Sequence, residues 1–188
     1  MPNSRLNIAV LVSGGGSNLQ ALIDAQKDKY FRSNIKLVIS NNSDAFALNR
    51  AIENGILTVV LKKEDSLMNI LEKNSIDLVV LAGYLKIIDS EVIDKYKGRI
   101  INIHPSLLPS YGGRGMYGIH VHNAVYEAKD EKSGATVHYV TNIIDGGEII
   151  IQKSIYIGDC KTPQEIQNKV LGVEHEILKE AVKRIEEV

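Results

Sequence analysis

Asn102-Ile103-His104 is the sharpest chemical signal in this sequence. Side chains alternate along a strand, so Asn102 and His104 share a face where an extended segment ends. Pro105 holds His104 extended, because the ring disfavours helical backbone in the residue before it. An amide beside an imidazole suits a reacting carbonyl: one polarises the oxygen, and the other stabilises charge or moves a proton. A histidine by itself is commonly structural; the Asn-x-His pair at a strand end is what favours chemistry. Asp145-Gly146-Gly147 is the second informative position. A carboxylate near His104 would raise the imidazole pKa by charge pairing and favour the cation. Asp-Gly is also a good hairpin turn, and the sequence leaves both readings open.

A third position is Ser13-Gly14-Gly15-Gly16-Ser17-Asn18. Glycines let the backbone approach a ligand closely, and free N–H groups at a helix start favour an anion. A tight strand-to-helix turn would explain the glycines equally well. A dinucleotide fingerprint wants glycine where Leu19 stands and an acid where Asn41-Asn42 ends the second strand. A phosphate monoester therefore fits better than a dinucleotide, and a P-loop is excluded because no Gly-Lys-Ser/Thr follows. Ala82-Gly83-Tyr84-Leu85-Lys86-Ile87-Ile88 offers a close-approach glycine and apolar residues for a flat pocket, although core packing accounts for it too.

The elements that must position these residues alternate. Leu6–Val12, Lys36–Ser40, Leu57–Leu61, Leu78–Leu81 and Arg99–Ile103 read as strands, several continuously apolar, as parallel strands covered on both faces are. Between them lie helical stretches near Ser17–Lys29, Ala45–Asn54, Asp65–Asn74 and Ser90–Tyr96, with Gly55 as a left-handed stop and Ser90 as an N-cap. This alternation predicts an α/β fold: a doubly wound, mostly parallel twisted sheet with a Rossmann-type N-terminal half. Pro105 to Gly118 holds two prolines and four glycines and reads as a long functional loop. A helix near His120–Lys129, antiparallel strands at Ala135–Thr141 and Glu148–Ile157, and a long C-terminal helix from Thr162 to about Arg184 complete one domain over residues 1–188. Thr162-Pro163-Gln164-Glu165 has the order of an N-cap, a first-turn proline and a capping-box acid.

Composition excludes several classes. A formal net charge of −1 supplies no general attraction for nucleic acid or anionic membrane, so an anionic ligand must be held by local groups. Met1 to Asn7 lacks a signal-peptide layout, no apolar run suits a membrane span, and the single cysteine, Cys160, fits a reducing compartment; a cytoplasmic protein is expected. His120 and His122 fall on different faces of a helix start, and His138 reads as a core or pocket-wall residue within a strand. His175 follows Glu174 on the last helix, so no metal site is expected. No Gly-x-Ser-x-Gly or activated cysteine suggests a covalent intermediate.

The motifs Ser13-Gly-Gly-Gly-Ser-Asn-Leu-Gln20, Leu81-Ala-Gly83, Asn102-Ile-His-Pro-Ser-Leu-Leu-Pro109, Asp145-Gly-Gly147 and Glu174-His175 resemble the folate-dependent phosphoribosylglycinamide formyltransferases, across essentially the whole chain. The resemblance implies a purine-biosynthetic one-carbon transferase that moves the formyl group of 10-formyltetrahydrofolate directly onto the amine of glycinamide ribonucleotide. It implies Asn102, His104 and Asp145 as catalytic residues, with His104 a cation, Asn102 also facing the folate, and no metal. It implies Gly16, Ser17 and Asn18 around the ribonucleotide phosphate, and Glu174 near its amine. The main chain of Tyr84, Leu85, Lys86, Ile87 and Ile88 would read the pterin, and Thr136 and His138 would lie near the site. A monomer or weak homodimer is implied as well.

The chain departs from the family in three places. Lys62-Lys63-Glu64-Asp65 stands where some members carry a ligand-binding arginine, Lys86 replaces an arginine, and Gly112–Gly118 is longer than in several relatives. The alternatives are a formyltetrahydrofolate hydrolase, expected to carry an extra N-terminal module, and a methionyl-tRNA formyltransferase, expected to carry a C-terminal RNA-binding domain. A non-catalytic nucleotide-binding module is the third, and the Asn102/His104 pair argues against it.

Overall fold

The computed structural model describes residues 5–188, so part of the Met1–Asn7 segment lies outside the described residues. In chain order the elements are β1 (Asn7–Val12), α1 (Ser17–Lys27), β2 (Asn34–Ser40), α2 (Phe46–Glu53), β3 (Leu57–Val60), α3 (Leu67–Lys73), β4 (Leu78–Leu81), α4 (Ser90–Lys95) and β5 (Ile100–His104). They continue with α5 (Ile119–Glu127), β6 (Lys132–Tyr139), β7 (Ile149–Tyr156) and α6 (Pro163–Glu186). The strands form one sheet in the order β3-β2-β1-β4-β5-β6-β7. Pairing is parallel from β3 through β5 and antiparallel at β5/β6 and β6/β7, as expected for a doubly wound sheet with an antiparallel flank.

The period-two alternation of β1 builds both core layers. Ile8, Val10 and Val12 pack with α1, α2 and α6, whereas Ala9 and Leu11 face the layer of α3 and α4. Burial on both faces explains why these strands read as unbroken apolar runs. Chain order reverses between β1 and β4, and the crevice beyond the strand ends at such a reversal is where open α/β sheets bind ligands. Among the described residues, no helix is long and apolar enough to cross a membrane.

Several boundaries differ from the sequence reading. Asp89, not Ser90, occupies the N-cap of α4, without a side-chain cap. Ser66 caps α3, accepting from the Asn69 N–H at 3.3 Å, while Asp65 turns back to accept from the Lys62 N–H at 2.8 Å. The β6 strand starts at Lys132 rather than Ala135 because Gly134 lies in its ladder, where a Cβ would come 2.1 Å from the Lys153 carbonyl. Gly55 has φ +69°, the left-handed stop expected.

The start of α6 is as read: Thr162 Oγ1 accepts from the Glu165 N–H at 3.2 Å, and Glu165 accepts from the Lys161 N–H at 2.6 Å. Its buried stripe, which includes Ile166, Val170, Val173, Ile177 and Ala181, repeats at helical spacing against the sheet. Thr162→Ala should cost about 1 kcal/mol through the lost cap. The check is the urea midpoint at unchanged slope, and an unmoved midpoint would mean that water replaces the hydroxyl.

Candidate functional site

A cavity of about 1070 Å³ opens at the reversal of strand order. Its walls come from the turn after β1, the 81–90 segment after β4, the end of β5, the 113–118 loop, the 140–145 loop and one face of α6.

The β5 end projects Asn102 and His104 as period two requires, opposite His138 and Thr136 of β6. His104 is 4% exposed, and its Nε2 lies 2.8 Å from the Tyr111 carbonyl. A carbonyl only accepts, so this contact places a hydrogen on Nε2 and leaves Nδ1 as the titrating atom. Nδ1 faces Asp145 Oδ2 at 3.7 Å, and that oxygen also accepts from the Gly113 N–H at 2.8 Å. His138 Nδ1 donates to the Tyr139 carbonyl at 2.9 Å, so its Nε2 accepts from Asn102 Nδ2 at 3.1 Å. Asp145 Oδ1 stands 3.6 Å from that Nε2. Asn102, His104, His138 and Asp145 thus form one cluster.

Residues 140–148 join β6 to β7, so Asp145-Gly146-Gly147 belongs to a long loop rather than a two-residue hairpin. Asp145 has φ +53°, and a Cβ on Gly147 would fall 1.7 Å from the Tyr139 carbonyl. The glycine lets the loop fold back tightly enough to bring the carboxylate to His104. Burial pushes the Asp145 carboxyl up, but contacts from His138, the Gly113 amide and His104 together hold it below its ordinary value.

The surroundings of His104 pull in opposite directions. Burial takes its pKa down, and Asp145 and the Tyr111 carbonyl raise it by less, so the net shift is downward from its ordinary value. The carboxylate has the predicted effect, but desolvation of a nearly inaccessible ring outweighs it. His122, also in the cavity wall, is 1% exposed with Nδ1 unbonded, and burial takes its pKa down to about 4.

Gly14, Gly15, Gly16 and Ser17 line the other end of the cavity. Asn18 Nδ2 donates to Glu174 Oε2 at 2.6 Å, so this side chain is committed across the fold to α6. Burial drives the Glu174 carboxyl up to about 7 in spite of that donor, and Asn18 Oδ1 is buried without a partner. Asn18 Oδ1 is therefore an acceptor that awaits a donor here. Beyond Gly83, the N–H groups of Tyr84, Lys86, Ile87 and Ile88 bond nothing among the described residues, while the Leu85 N–H is taken by Ser13 Oγ at 2.9 Å. An open main-chain edge beside the exposed side chains of Leu85 and Ile87 suits a flat heterocycle. Thr136 supports the site from below, donating to the Ser106 carbonyl at 2.6 Å and accepting from the Leu108 N–H at 3.2 Å. Lys62 and Lys63 lie outside the cavity wall, whereas Arg50, Arg114 and His122, which the sequence reading did not select, lie in it. No local pattern marks these three; only the folded path brings them there. Among the described residues, no group of three or more His, Cys, Asp or Glu side chains is arranged for a metal ion.

Comparison with known proteins identifies the family. The sequence pattern of the family described as formyl transferase matches residues 6–182. The chain is 39% identical to the chloroplastic phosphoribosylglycinamide formyltransferase of Arabidopsis thaliana, covering 95% of this chain and 64% of that protein. It is also 39% identical to phosphoribosylglycinamide formyltransferase of Escherichia coli (strain K12), covering 92% of this chain and 83% of that one. The crystal structure of glycinamide ribonucleotide transformylase 1 from Symbiobacterium toebii superposes with a TM-score of 0.90 at 31% identity, covering 97% of this chain and 88% of that chain. The chain belongs to the formyl transferase family of one-carbon group-transfer enzymes. Within it, the phosphoribosylglycinamide formyltransferases are the branch it matches over most of its length.

The raised Glu174 pKa has a stability consequence. A folded-state pKa above the usual 4.5 means that stability is full below 4.5 and falls as pH rises through about 7. Glu174→Gln keeps an acceptor for Asn18 without the charge. Its melting temperature should therefore gain on the wild type as pH rises from 4.5 to beyond 7. Parallel melting curves across that range would show that the carboxylate is not penalised by burial.

Proposed function

We propose that this chain transfers the formyl group of 10-formyltetrahydrofolate to the primary amine of glycinamide ribonucleotide, a step of de novo purine synthesis. The observation that carries the reading is the convergence of Asn102, His104 and Asp145 in one cavity, with an unbonded main-chain edge on one side and a glycine cradle on the other. The folate and the ribonucleotide are the two small-molecule partners, no metal takes part, and the enzyme works in the cytoplasm as a monomer or weak homodimer.

The pterin lies along the main chain of Tyr84 to Ile88, and the phosphate meets the amides of Gly16, Ser17 and Asn18. Glu174 and the Asn18 carbonyl oxygen accept from the glycinamide end, which holds the amine toward the formyl carbon. Attack forms the new N–C bond and puts negative charge on the formyl oxygen. Asn102 Nδ2 meets that oxygen with the hydrogen not given to His138. His104 takes up at Nδ1 the one proton that the attacking amine loses, because Asp145 and the oxyanion together offset the cost of burial. Collapse breaks the bond to N10 of the folate. His104 then gives that same proton up, by way of Asp145, to N10, so one proton leaves the amine and one reaches the leaving nitrogen. Proximity and oxyanion stabilisation carry the rate, and the activated carbon arrives on the folate.

Removing one oxyanion-stabilising donor should cost about 10²–10³ in kcat, the effect expected of His104→Ala in a spectrophotometric assay of folate product. Unchanged turnover would remove His104 from the chemistry. Folate release without added ribonucleotide would point to hydrolysis, and binding without release to a carrier. Asp145→Asn takes away the charge that raises the His104 pKa, so the limb of the kcat/KM profile that follows His104 should move to lower pH. An unmoved profile would show that the carboxylate does not tune the ring.

A further inference from the structure

The turn after β1 presents its amides to the cavity because something else holds its carbonyls. The Gly14 carbonyl accepts from the Ala47 N–H at 3.0 Å, and the Gly15 carbonyl accepts from Arg50 Nε at 2.8 Å. Both donors belong to α2. In a trans peptide the carbonyl and the following N–H point opposite ways. The N–H groups of Gly15 and Gly16 are therefore aimed away from α2, and neither bonds anything among the described residues. The approach of α2 depends on the lack of a side chain at Gly16, where a Cβ would fall 2.5 Å from that of Ala47.

Arg50 contributes more than an anchor. Its Nη1 reaches Gln20 Oε1 at 3.3 Å, its guanidinium stacks 5.0 Å from the Phe46 ring centre, and Nη2 has no hydrogen-bond partner among the described residues. The side chain lines the cavity beside the glycines. The other two cations in the wall, Lys86 and Arg114, are exposed on separate loops and make no hydrogen bond to the protein. Arg50 is thus the cation that the fold itself holds at the glycine turn, with one fork of a planar donor left over. Arginine so placed suits a phosphate, because its remaining N–H groups add directional bonds to full positive charge.

We infer that Arg50 is a specificity-determining residue for the phosphate monoester of the acceptor, both turning the Gly15 peptide and pairing its own charge with the phosphate. This rests on the formyl-transfer reading for its substrate, but not for its test. With wild-type and Arg50→Met enzyme, KM should be measured for the ribonucleotide, for the same acceptor without its phosphate, and for the folate. A charge-assisted contact of this kind should raise KM for the phosphorylated acceptor about 10–100-fold. That penalty should shrink at least tenfold when the phosphate is missing, and the KM for folate should move far less. Arg50→Lys, which keeps charge but loses the fork, should fall between, and it carries the test if the methionine variant does not fold.

Independently of turnover, titrating the whole chain with inorganic phosphate should shift the Gly15 and Gly16 amide resonances saturably, with at least tenfold weaker binding in the variant. An equal penalty on both acceptors, or one confined to the folate, overturns the assignment, as does phosphate binding indifferent to residue 50. If wild-type enzyme formylates nothing, the functional reading falls while the phosphate titration still decides the role of Arg50.

Discussion

A buried imidazole can hold a proton only where negative charge nearby makes up for the water it has lost. At His104 burial and a nearby carboxylate oppose each other, with burial the larger effect. Asp145 stands close enough to favour the cation, yet the ring is too well enclosed for one carboxylate to prevail. A second negative charge beside the ring would add to Asp145 in favouring the cation. The other imidazoles are kept out of this exchange. The His138 ring is held between the Tyr139 carbonyl and Asn102, and burial takes the His122 pKa down to about 4.

That balance depends on backbone placement more than on side-chain identity. Asp145 reaches His104 because Gly147 lets the loop press against Tyr139, and His104 is oriented because the chain turns back to offer the Tyr111 carbonyl. Gln152 of β7 ties the intervening segment down, donating to the Leu108 carbonyl at 2.9 Å and to Thr136 Oγ1 at 3.0 Å. The antiparallel flank of the sheet thereby acts as a buttress for β5. The parallel half supplies the opposite wall with main-chain donors, which carry direction and no net charge. A protein of formal charge −1 can in this way receive anionic ligands without a basic surface.

The sheet and the strand-end position of Asn102 and His104 were legible in the sequence because both follow from local periodicity. Continuous apolar runs marked strands covered on two faces, and period two put the pair on one side. What the sequence withheld was tertiary. Asn18 and Glu174 are 156 positions apart, and nothing local announces that one side chain will be spent on the other. The direction of the His104 pKa shift depends on a competition between burial and Asp145, and the extent of burial exists only in the folded chain. The α4 cap moved by one residue because Asp89 and Ser90 are both acceptable at a helix start, and the incoming chain chose between them.

The rim of the cavity has a consequence of its own. Leu85, Ile87 and Ile143 are 60%, 71% and 70% exposed, and they flank the open main-chain edge from two separate loops. Water ordered over such aliphatic lips is released when a flat ring slides between them, so docking is accompanied by a negative change in heat capacity. Grip on the ring therefore weakens on cooling, as hydrophobic attraction does, while the polar contacts deeper in the cavity do not share that temperature dependence.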